Sequence, residues 1–505
     1  MNSLRIALRS LLLLPALGLL TFNLGCGGSG GNKFTNPGGT FTASSLQGQY
    51  AFQVGGIDSV GFFQEAGVFA ADGNGNITSG TEDLVRSSGL VSSPITGSYS
   101  LSNDGSGTGF LTLNSAGRSL ELAMTMVTTS KIYLVVSAES LTTAIATNGG
   151  GMALKQTTAA LSNPPAGTFA FRIHTTNPNQ GSAASRVGAM NIAAGTITGN
   201  VDVNQDGSPS QLTLGGLFNF PDSTGRGTVN LTDSSPSTLT FLYYIVDTSH
   251  FLLLGTDTGF LDAGEAELQS GGPFSIGSLS GSYAFGARGD SSTNFTGANA
   301  VGRFAADGNG NITAGAFDSS EDGNASSNVS FTGTVTNASA SGRFTLNLDQ
   351  NIGGSGNVIV WMASPTRGFF LIDSASTVED GSMDAQQLSS FTDASMHGQF
   401  ALVMDGFDLS IVGAATPFVD RVGTISWDGN GGLTLNEFVN SGGVTNTPGL
   451  LSGTYVTHAN GRITGTLSGI SNAMVLYAVT PTDAYFLLND SGVVVSGHTT
   501  KQVGP

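Results

Sequence analysis

The chain has 505 residues, a net charge of −18 and a pI near 4.4. Only 10% of its residues are charged, against a typical ~25%. The acidic balance argues against binding nucleic acid or anionic lipid through a basic patch, and hydrophobic residues, at 39%, are too frequent for a disordered protein.

The N-terminus carries a predicted export signal. Arg5 and Arg9 precede an apolar run over residues 11–22, which is the layout of a charged n-region followed by an h-region. This run is shorter than the roughly 20 residues that a transmembrane helix needs. Residues 1–25 are therefore predicted to be a signal peptide, and the mature chain is expected to be exported.

Cys26 is the only cysteine of the chain, so it cannot form an internal disulfide. Gly25-Cys26 resembles the lipobox of bacterial lipoproteins, with Leu24 two residues before the cysteine rather than three. The resemblance implies that Cys26 is the lipid attachment site. Since Gly27 rather than Asp follows, it also implies an outer-membrane location. The Gly-, Ser-, Asn- and Pro-rich residues 26–44 are predicted to form a flexible tether.

The rest of the chain is a fourfold repeat. The sequence of residues 304–313 copies residues 69–78 without a change, and four units open at Gly48, Gly167, Gly281 and Gly398. A period of about 115 residues matches an ordinary domain and is too long for a solenoid repeat. The predicted domains are residues 45–157, 164–270, 278–388 and 395–503, each with its own core.

Short apolar runs separated by turn residues predict an all-β fold. Unit one contains eight such runs, at residues 49–54, 67–71, 77–85, 95–101, 109–113, 120–127, 131–136 and 152–155. Consecutive hairpins predict an antiparallel meander, and eight strands are about the number that closes into a small barrel. The opening Gly48-Gln-Tyr-Ala-Phe52 resembles the Gly-x-Trp start of lipocalin-like barrels, which implies eight-stranded up-and-down barrels. Two-sheet sandwiches are the alternative.

Asp72-Gly-Asn-Gly-Asn76 spaces its oxygen side chains as a calcium loop begins, but the rest of that motif is missing. Unit two shortens this turn to Ala193-Ala-Gly-Thr-Ile197. We therefore expect a tight hairpin and no metal.

Two sets of acidic residues recur at corresponding places in the units, and both are expected to cap loop amides rather than form a ligand site. The first set is Glu82/Asp83, Asp202, Asp318 and Glu437, and the second is Glu139, Asp257, Asp373 and Asp490.

Arg226, Arg343 and Arg462 also take equivalent hairpin positions, which unit one lacks. An exposed turn cation is the favoured interpretation, and an ion pair with a recurring acid at a barrel mouth is the alternative.

No catalytic constellation is evident in the sequence. The five histidines, His174, His250, His397, His458 and His498, never stand at metal-ligand spacing, and the Gly-x-Ser-x-Gly at residues 27–31 lies in the tether rather than on a strand-to-helix turn. We expect no cofactor and no enzymatic activity. The predicted function is a surface lipoprotein with a structural, adhesive or interaction role toward an extracellular protein or glycan. The alternative is a small apolar ligand in each barrel, and an envelope hydrolase is the least favoured reading.

Overall fold

The structure is a computed structural model, and it describes residues 40–141, 144–176, 183–234, 238–257, 259–291, 297–409, 418–468 and 470–505. The signal peptide, most of the tether and Cys26 lie outside these residues. The described residues all belong to the compact unit Asn36–Pro505. This part of the chain contains no helix that has the length and apolar character needed to cross a membrane.

The described chain forms four closed antiparallel barrels of eight strands each, which confirms the predicted fold class.

Barrel 1 comprises β1 (Gln47–Asp58), β2 (Gly61–Asp72), β3 (Asn76–Arg86), β4 (Gly89–Pro94), β5 (Thr96–Leu101), β6 (Thr108–Ser115), β7 (Arg118–Thr128), β8 (Lys131–Ser140), β9 (Ala144–Ile145) and β10 (Thr147–Lys155). Barrel 2 comprises β11 (Gly167–Thr176), β12 (Ala183–Ala193), β13 (Thr196–Gln205), β14 (Ser208–Phe218), β15 (Arg226–Asp233), β16 (Thr238–Ile245), β17 (His250–Gly255) and β18 (Leu261–Leu268).

Barrel 3 comprises β19 (Ser280–Ser291), β20 (Ala298–Asp307), β21 (Asn311–Glu321), β22 (Asn324–Thr336), β23 (Arg343–Ile352), β24 (Ser355–Ser364), β25 (Arg367–Ile372) and β26 (Thr377–Ala385). Barrel 4 comprises β27 (His397–Asp408), β28 (Phe418–Asp428), β29 (Gly432–Ser441), β30 (Val444–Asn446), β31 (Leu451–Thr457), β32 (Arg462–Leu467), β33 (Ile470–Thr480), β34 (Asp483–Leu488) and β35 (Val493–Lys501).

Four short 3-10 helices each precede or follow a barrel, at Ala43–Ser45, Thr158–Ala160, Ile276–Ser278 and Asp393–Ser395.

Each barrel closes by pairing its first strand with its last. These closing pairs are β1 with β10, β11 with β18, β19 with β26 and β27 with β35. In barrels 1 and 4 the fourth strand is divided into two short strands, β4 with β5 and β30 with β31, and both parts pair with the third strand. The last strand of barrel 1 is divided as well, because β9 and β10 both pair with β8. The up-and-down order is the one that consecutive hairpins predict.

Alternation along the strands places large apolar side chains inside each barrel. In barrel 1, Tyr50 and Phe69 lie on paired strands, and their rings stack with centroids 5.3 Å apart. Tyr283 and Phe304 repeat the same contact in barrel 3 at 5.3 Å. The Tyr50 hydroxyl donates to the carbonyl of Thr129 at 2.7 Å, so the buried ring keeps a polar partner. Each barrel therefore has a core of its own.

Neighbouring barrels also share apolar clusters built from outward-facing side chains. Ala51 and Val68 of barrel 1 pack against Leu252 and Leu254 of barrel 2. Barrels 2 and 3 meet in the same way, as do barrels 3 and 4, and a fourth cluster joins barrel 4 to barrel 1. The four barrels thus contact one another in cyclic order, which we call the four-barrel ring.

The separate cores and the shared clusters together make a prediction about fragments. Residues 275–390, which contain barrel 3, are expected to unfold cooperatively but at a lower temperature than the whole chain, because two apolar faces lose their partners. Residues 275–505 restore one face and are expected to melt between the two. Calorimetry on the three chains measures this order, and a fragment 275–390 without a cooperative transition would contradict it.

Candidate functional site

The most regular polar feature of the ring is an ion pair that crosses from one barrel to the next. Arg343 of barrel 3 donates to both carboxylate oxygens of Asp202 in barrel 2, at 2.8 and 2.7 Å, and the indole Nε1 of Trp361 donates to the same carboxylate at 2.8 Å. The Asp202 side chain is 6% exposed. This arrangement of acid, arginine and aromatic donor is called the interface lock below.

The lock recurs at the two neighbouring interfaces with the same geometry. Between barrels 1 and 2, Arg226 binds Asp83 at 2.6 and 2.7 Å, and the Tyr244 hydroxyl donates to Asp83 at 2.6 Å. Hydrogen bonding to Asp83 is the main cause of the raised pKa of Arg226.

Between barrels 3 and 4, Arg462 binds Asp318 at 2.8 and 2.6 Å, and Tyr477 donates to Asp318 at 2.8 Å. Burial is the main cause of the raised pKa of Tyr477, to which the Asp318 charge adds.

These contacts correct the sequence interpretation of the recurring arginines and acids. Arg226, Arg343 and Arg462 are not exposed turn cations, since each binds an acid of the first set across an interface. Of these acids, Asp318 also accepts the backbone amide of Asn328 at 3.0 Å. The arginine and the acid do pair, but between two barrels rather than at the mouth of one. The reason is register: the arginine begins the fifth strand of its barrel, whereas the acid lies on the outward face of the third strand of the preceding barrel.

A glutamine after each last strand makes a second recurring contact across the interface. Gln156 donates to the carbonyls of Thr224 and Ile245 at 3.0 and 2.6 Å. Gln269, Gln386 and Gln502 repeat this pair of bonds to the next barrel. For Gln502 the next barrel is barrel 1, where it reaches the carbonyls of Ser106 and Met126 at 2.7 and 2.6 Å. The end of the chain therefore joins its beginning by the same bonds.

The interface between barrel 4 and barrel 1, called the closing interface below, lacks the lock. The strand register places Phe438, not Glu437, at the position of Asp83, because Phe438 pairs with Val422 as Asp83 pairs with Ala66. Thr108 and Thr125 stand where the arginine and the aromatic donor lie elsewhere. The Phe438 ring instead lies 6.1 Å from that of Phe110.

Glu437 therefore corresponds to Glu82 of the first set rather than to Asp83, because it pairs with Gly423 as Glu82 pairs with Gly67. The expectation that it caps loop amides is wrong. Its side chain accepts a bond from Arg421 at 2.8 Å on the neighbouring strand of barrel 4. Glu437 is one residue away from the equivalent position, and a shift of one residue along a strand reverses the face.

Neutral hydrogen bonds cross the closing interface, and Asn204 makes the corresponding bonds to the carbonyls of Ile372 and Thr377 beside the lock of barrels 2 and 3. The Asn440 amide donates to the carbonyls of Val136 and Thr147 at 2.8 and 2.6 Å, and Asn148 donates to the carbonyl of Asn440 at 3.1 Å. Among the described residues, no salt bridge joins barrel 4 to barrel 1. Asp420 places a carboxylate at this interface, where it accepts from the Asn148 amide at 3.3 Å.

Charged side chains from different barrels also converge beside these interfaces. Arg367 of barrel 3 contacts Glu267 of barrel 2 at 2.8 Å, and Arg288 of barrel 3 contacts Asp405 of barrel 4 at 2.9 Å. Lys131 of barrel 1 lies within electrostatic reach of charges in barrels 3 and 4, and Tyr133 is the main cause of its raised pKa. In each of these contacts a positive side chain lies near a negative one of another barrel.

A Ser-His-Asp group occurs here, but its geometry is not catalytic. His174 Nδ1 and the hydroxyl of Ser185 both bind Asp380 Oδ2, at 2.9 and 2.7 Å. Burial opposes ionisation of Asp380, but the hydrogen bond and charge of His174, the charge of Arg172 and the bond from Ser185 together outweigh it and hold the pKa at about 2. The Ser185 hydroxyl thus donates to the acid instead of to the histidine, so no base activates it.

Barrel 1 encloses a network of charges that sequence reasoning missed. Arg118 lies 2.7 Å from Glu139, 3.1 Å from Glu82 and 2.8 Å from Glu65. Glu139, from the second set of acids, therefore has an interior partner and is not a loop cap. Asp490 does accept a loop amide, from Ser491 at 2.8 Å, whereas Asp257 accepts the amide of Thr240 on β16 at 3.1 Å. Alternation could have shown that Glu65, Glu82 and Arg118 share the inward face.

Apolar side chains form most of the other barrel interiors, together with the buried ion pairs of Arg186 with Asp262 in barrel 2 and of Arg421 with Glu437 in barrel 4. The cavity inside barrel 2, lined by Phe171, Ile173 and Leu231 among others, has a volume of about 10 Å³, which is about the minimum for one water molecule. Such an interior has no room for a small apolar ligand. A larger cleft of about 920 Å³ lies on the outside between barrels 2 and 3, where Thr168, Asn191 and Asn200 contribute polar groups.

The Asp-Gly-Asn-Gly-Asn segments form turns in which the acid binds its own loop. The Asp72 carboxylate accepts the amides of Asn74 and Asn76 at 2.7 and 3.1 Å and the Asn76 side chain at 2.7 Å. The Asn76 side chain is the main cause of the lowered pKa of Asp72. Asp307 makes the same bonds. Among the described residues, no group of three or more acidic, histidine or cysteine side chains is placed to hold a metal.

The comparisons with known proteins identify no family. No protein-family model matches the chain. No curated protein matches it in sequence.

Among solved structures, a mutant of transferrin-binding protein B from Haemophilus parasuis Hp5 is 10% identical, with 74% of this chain and 84% of that chain covered and a TM-score of 0.18. The intact Ap-TbpB, with N and C lobes, gives 10% identity, 73% and 83% coverage and a TM-score of 0.18. At this TM-score the similarity carries no argument about fold or function.

The lock makes a prediction about stability. Arg343→Leu is expected to lower the free energy of unfolding by about 3–5 kcal/mol, because it leaves the buried Asp202 carboxylate without its cation. Denaturant unfolding measures the change. The matched control is Arg288→Leu, which breaks an ion pair whose side chains are 51% and 42% exposed and is expected to cost at most ~1 kcal/mol. Equal losses in the two variants would contradict a structural role for the lock.

A second prediction concerns pH. Burial raises the pKa of Glu65 to about 7 and those of Glu379 and Asp420 to about 8. A raised carboxyl pKa means that the folded state binds protons more tightly than the unfolded state. The stability that these groups contribute is therefore fully present below the unfolded pKa of about 4 and is lost as pH rises from there through 7 to 8.

The free energy of unfolding is therefore expected to be at least ~2 kcal/mol lower at pH 9 than at pH 6. Denaturant titrations at both values measure this, and Glu379→Gln should reduce the difference. A chain that is more stable at pH 9 would contradict the prediction.

Proposed function

We propose that this chain is an exported, lipid-anchored protein of the cell envelope, in which the four-barrel ring is a structural or adhesive element that binds its partners through its outer surface. The anchor follows from the resemblance of Gly25-Cys26 to a lipobox. The observation that carries the proposed role is the composition of the outer strands.

The fourth strand of every barrel is free of charge. β4, β5, β14, β22, β30 and β31 contain no Asp, Glu, Lys or Arg, and most of their side chains are exposed. We call these strands the rim. Ser, Thr, Asn and Gln dominate the rim, together with exposed apolar side chains such as Leu217 and Val444, at 57% and 70%. This surface suits a neutral partner that is recognised by hydrogen bonds and apolar contact.

The cleft between barrels 2 and 3 has the same chemistry. Its lining contains amide, hydroxyl and small side chains and no charged residue. A volume of about 920 Å³ lies within the ~300–1,000 Å³ of ordinary ligand sites. An uncharged glycan or a neutral protein segment is the partner that both surfaces fit. The interior of barrel 2, with a cavity of about 10 Å³, speaks against the alternative of an apolar ligand inside that barrel.

The anchor is tested by acyl labelling. Cells that express the chain are grown with a fatty-acid probe, and we expect label on the wild type and none on Cys26→Ser. The outer-membrane fraction should lose the variant, because the acyl chains supply the only membrane affinity in the proposal. Equal labelling of the wild type and Cys26→Ser would contradict lipid attachment at Cys26, and it would leave the proposed binding role of the rim untouched.

The rim is tested by adding charge to it. Ser210→Glu and Ser330→Glu each place a carboxylate on an exposed rim position, and we expect binding of the purified chain to isolated cell envelopes to fall several-fold, with an unchanged melting temperature. Ala116→Glu adds the same charge at an exposed hairpin turn outside the rim and should bind as the wild type does. If the three variants bind equally, the rim is not the contact surface.

A further inference from the structure

The closing interface differs from the other three in how the chain holds it together. Barrels 1 and 2, 2 and 3, and 3 and 4 are consecutive in the chain and are held by the lock as well as by a short connection. Barrels 4 and 1 are at opposite ends of the chain, and Phe438, Thr108 and Thr125 replace the lock there. The closing interface has no short chain connection and therefore depends on non-covalent contacts alone. It nevertheless lacks the arginine–aspartate pair that stabilises the other three interfaces.

The faces that meet at the closing interface are nevertheless complementary in the same way as the others. Ala401 and Val422 of barrel 4 pack against Ala123, Tyr133 and Val135 of barrel 1. Gln502 reproduces the bonds that Gln156 makes at the first interface. Because the two faces differ, the contact is of the head-to-tail kind, which closes within one chain or continues from one chain to the next.

We infer that the closing interface is exchangeable and that the partner it fits is a second copy of this chain, with barrel 4 of one chain bound to barrel 1 of another. The same side chains make the contact in both arrangements. Closure within one chain is favoured in dilute solution, because the effective concentration of a linked partner is in the millimolar range. Contact between chains is favoured wherever the protein is more crowded than that.

The interface also contains a group whose charge opposes closure. Asp420 is 6% exposed and contacts the Asn148 amide of barrel 1 at 3.3 Å. The charged groups that face it are Asp405 of its own barrel, which repels it, and Arg288 of barrel 3, which is bound to Asp405 at 2.9 Å. Burial keeps the pKa of Asp420 at about 8. Ionisation above that pH leaves a buried charge without a cation of its own and loosens the contact.

The experiment uses two preparations of the full chain that carry different affinity tags. They are mixed at high concentration at pH 6 or at pH 9.5, returned to pH 7, and captured through one tag, while light scattering gives the mass. We expect the co-captured second tag to be several-fold more abundant after pH 9.5 than after pH 6, in species whose masses are multiples of one chain. No mixed species at either pH would overturn the inference.

Variants test whether the exchange occurs at the closing interface. Asp420→Asn keeps the contact with Asn148 but cannot ionise, so its exchange should change less than twofold between the two pH values. Glu379→Gln is the matched control, since Glu379 also has a raised pKa but lies on β26, outside the closing interface. It should exchange as the wild type does. If both variants suppress exchange equally, general unfolding explains it and the inference fails.

A grafted lock gives an independent test. The triple substitution Thr108→Arg, Thr125→Tyr and Phe438→Asp introduces an interface lock at the closing interface. The new side chains correspond to Arg226, Tyr244 and Asp83, which form the lock between barrels 1 and 2. It is expected to slow exchange several-fold at both pH values. A folded variant that exchanges at the wild-type rate would overturn the inference, and if this variant does not fold, Asp420→Asn still decides.

Discussion

The buried pair of arginine and aspartate between neighbouring barrels is the interaction on which the rest of the structure depends. A small barrel can satisfy all of its own backbone hydrogen bonds, so nothing in the fold itself requires it to hold a neighbour. Asp202, buried by barrel 3 and bound by Arg343 and Trp361, supplies that requirement. An arrangement of the barrels that separates the arginine from the aspartate leaves a buried charge without a partner, which is strongly destabilising. The pair therefore restricts how the barrels can pack against each other.

Few charged side chains lie on the outer surface, because several of the chain's arginines are inside a barrel or between two barrels. Arg118 lies inside barrel 1, Arg226 lies between barrels 1 and 2, and Arg367 lies where charged groups of barrels 2 and 3 converge. The rim has none, and its surface is instead made of hydroxyl and amide groups. Closed barrels tolerate this, because no strand edge is left for a charge to protect. A surface with little charge attracts partners weakly at long range, so recognition depends on close hydrogen-bonding contact.

The difference between the closing interface and the others shows how repeats can share a fold and still be distinguished. Phe438 and Thr108 cannot accept the arginine or the aspartate of another interface without burying an unpaired charge, which is costly. The order of the barrels around the ring is thus specified by which faces carry a charge as well as by the connections in the chain. Because Phe438 and Thr108 stand in place of the aspartate and the arginine, the closing interface lacks the ion pair that stabilises the other three.

The fourfold repeat, the all-β fold and the eight-stranded barrels could be predicted from the sequence, because a period near 115 residues, alternating strands and Gly-Asn turns depend only on local order along the chain. The recurrence of Arg226, Arg343 and Arg462 was also visible, but their partners were not. The ion pair between Arg226 and Asp83 joins residues that are 143 positions apart. The face of the strand on which each side chain lies depends on the register to a single residue. In barrel 4, for example, Phe438 and not Glu437 occupies the position of Asp83. Local pattern sets the strands, whereas the packing of one barrel against another sets which side chains meet, and only the tertiary structure contains that packing.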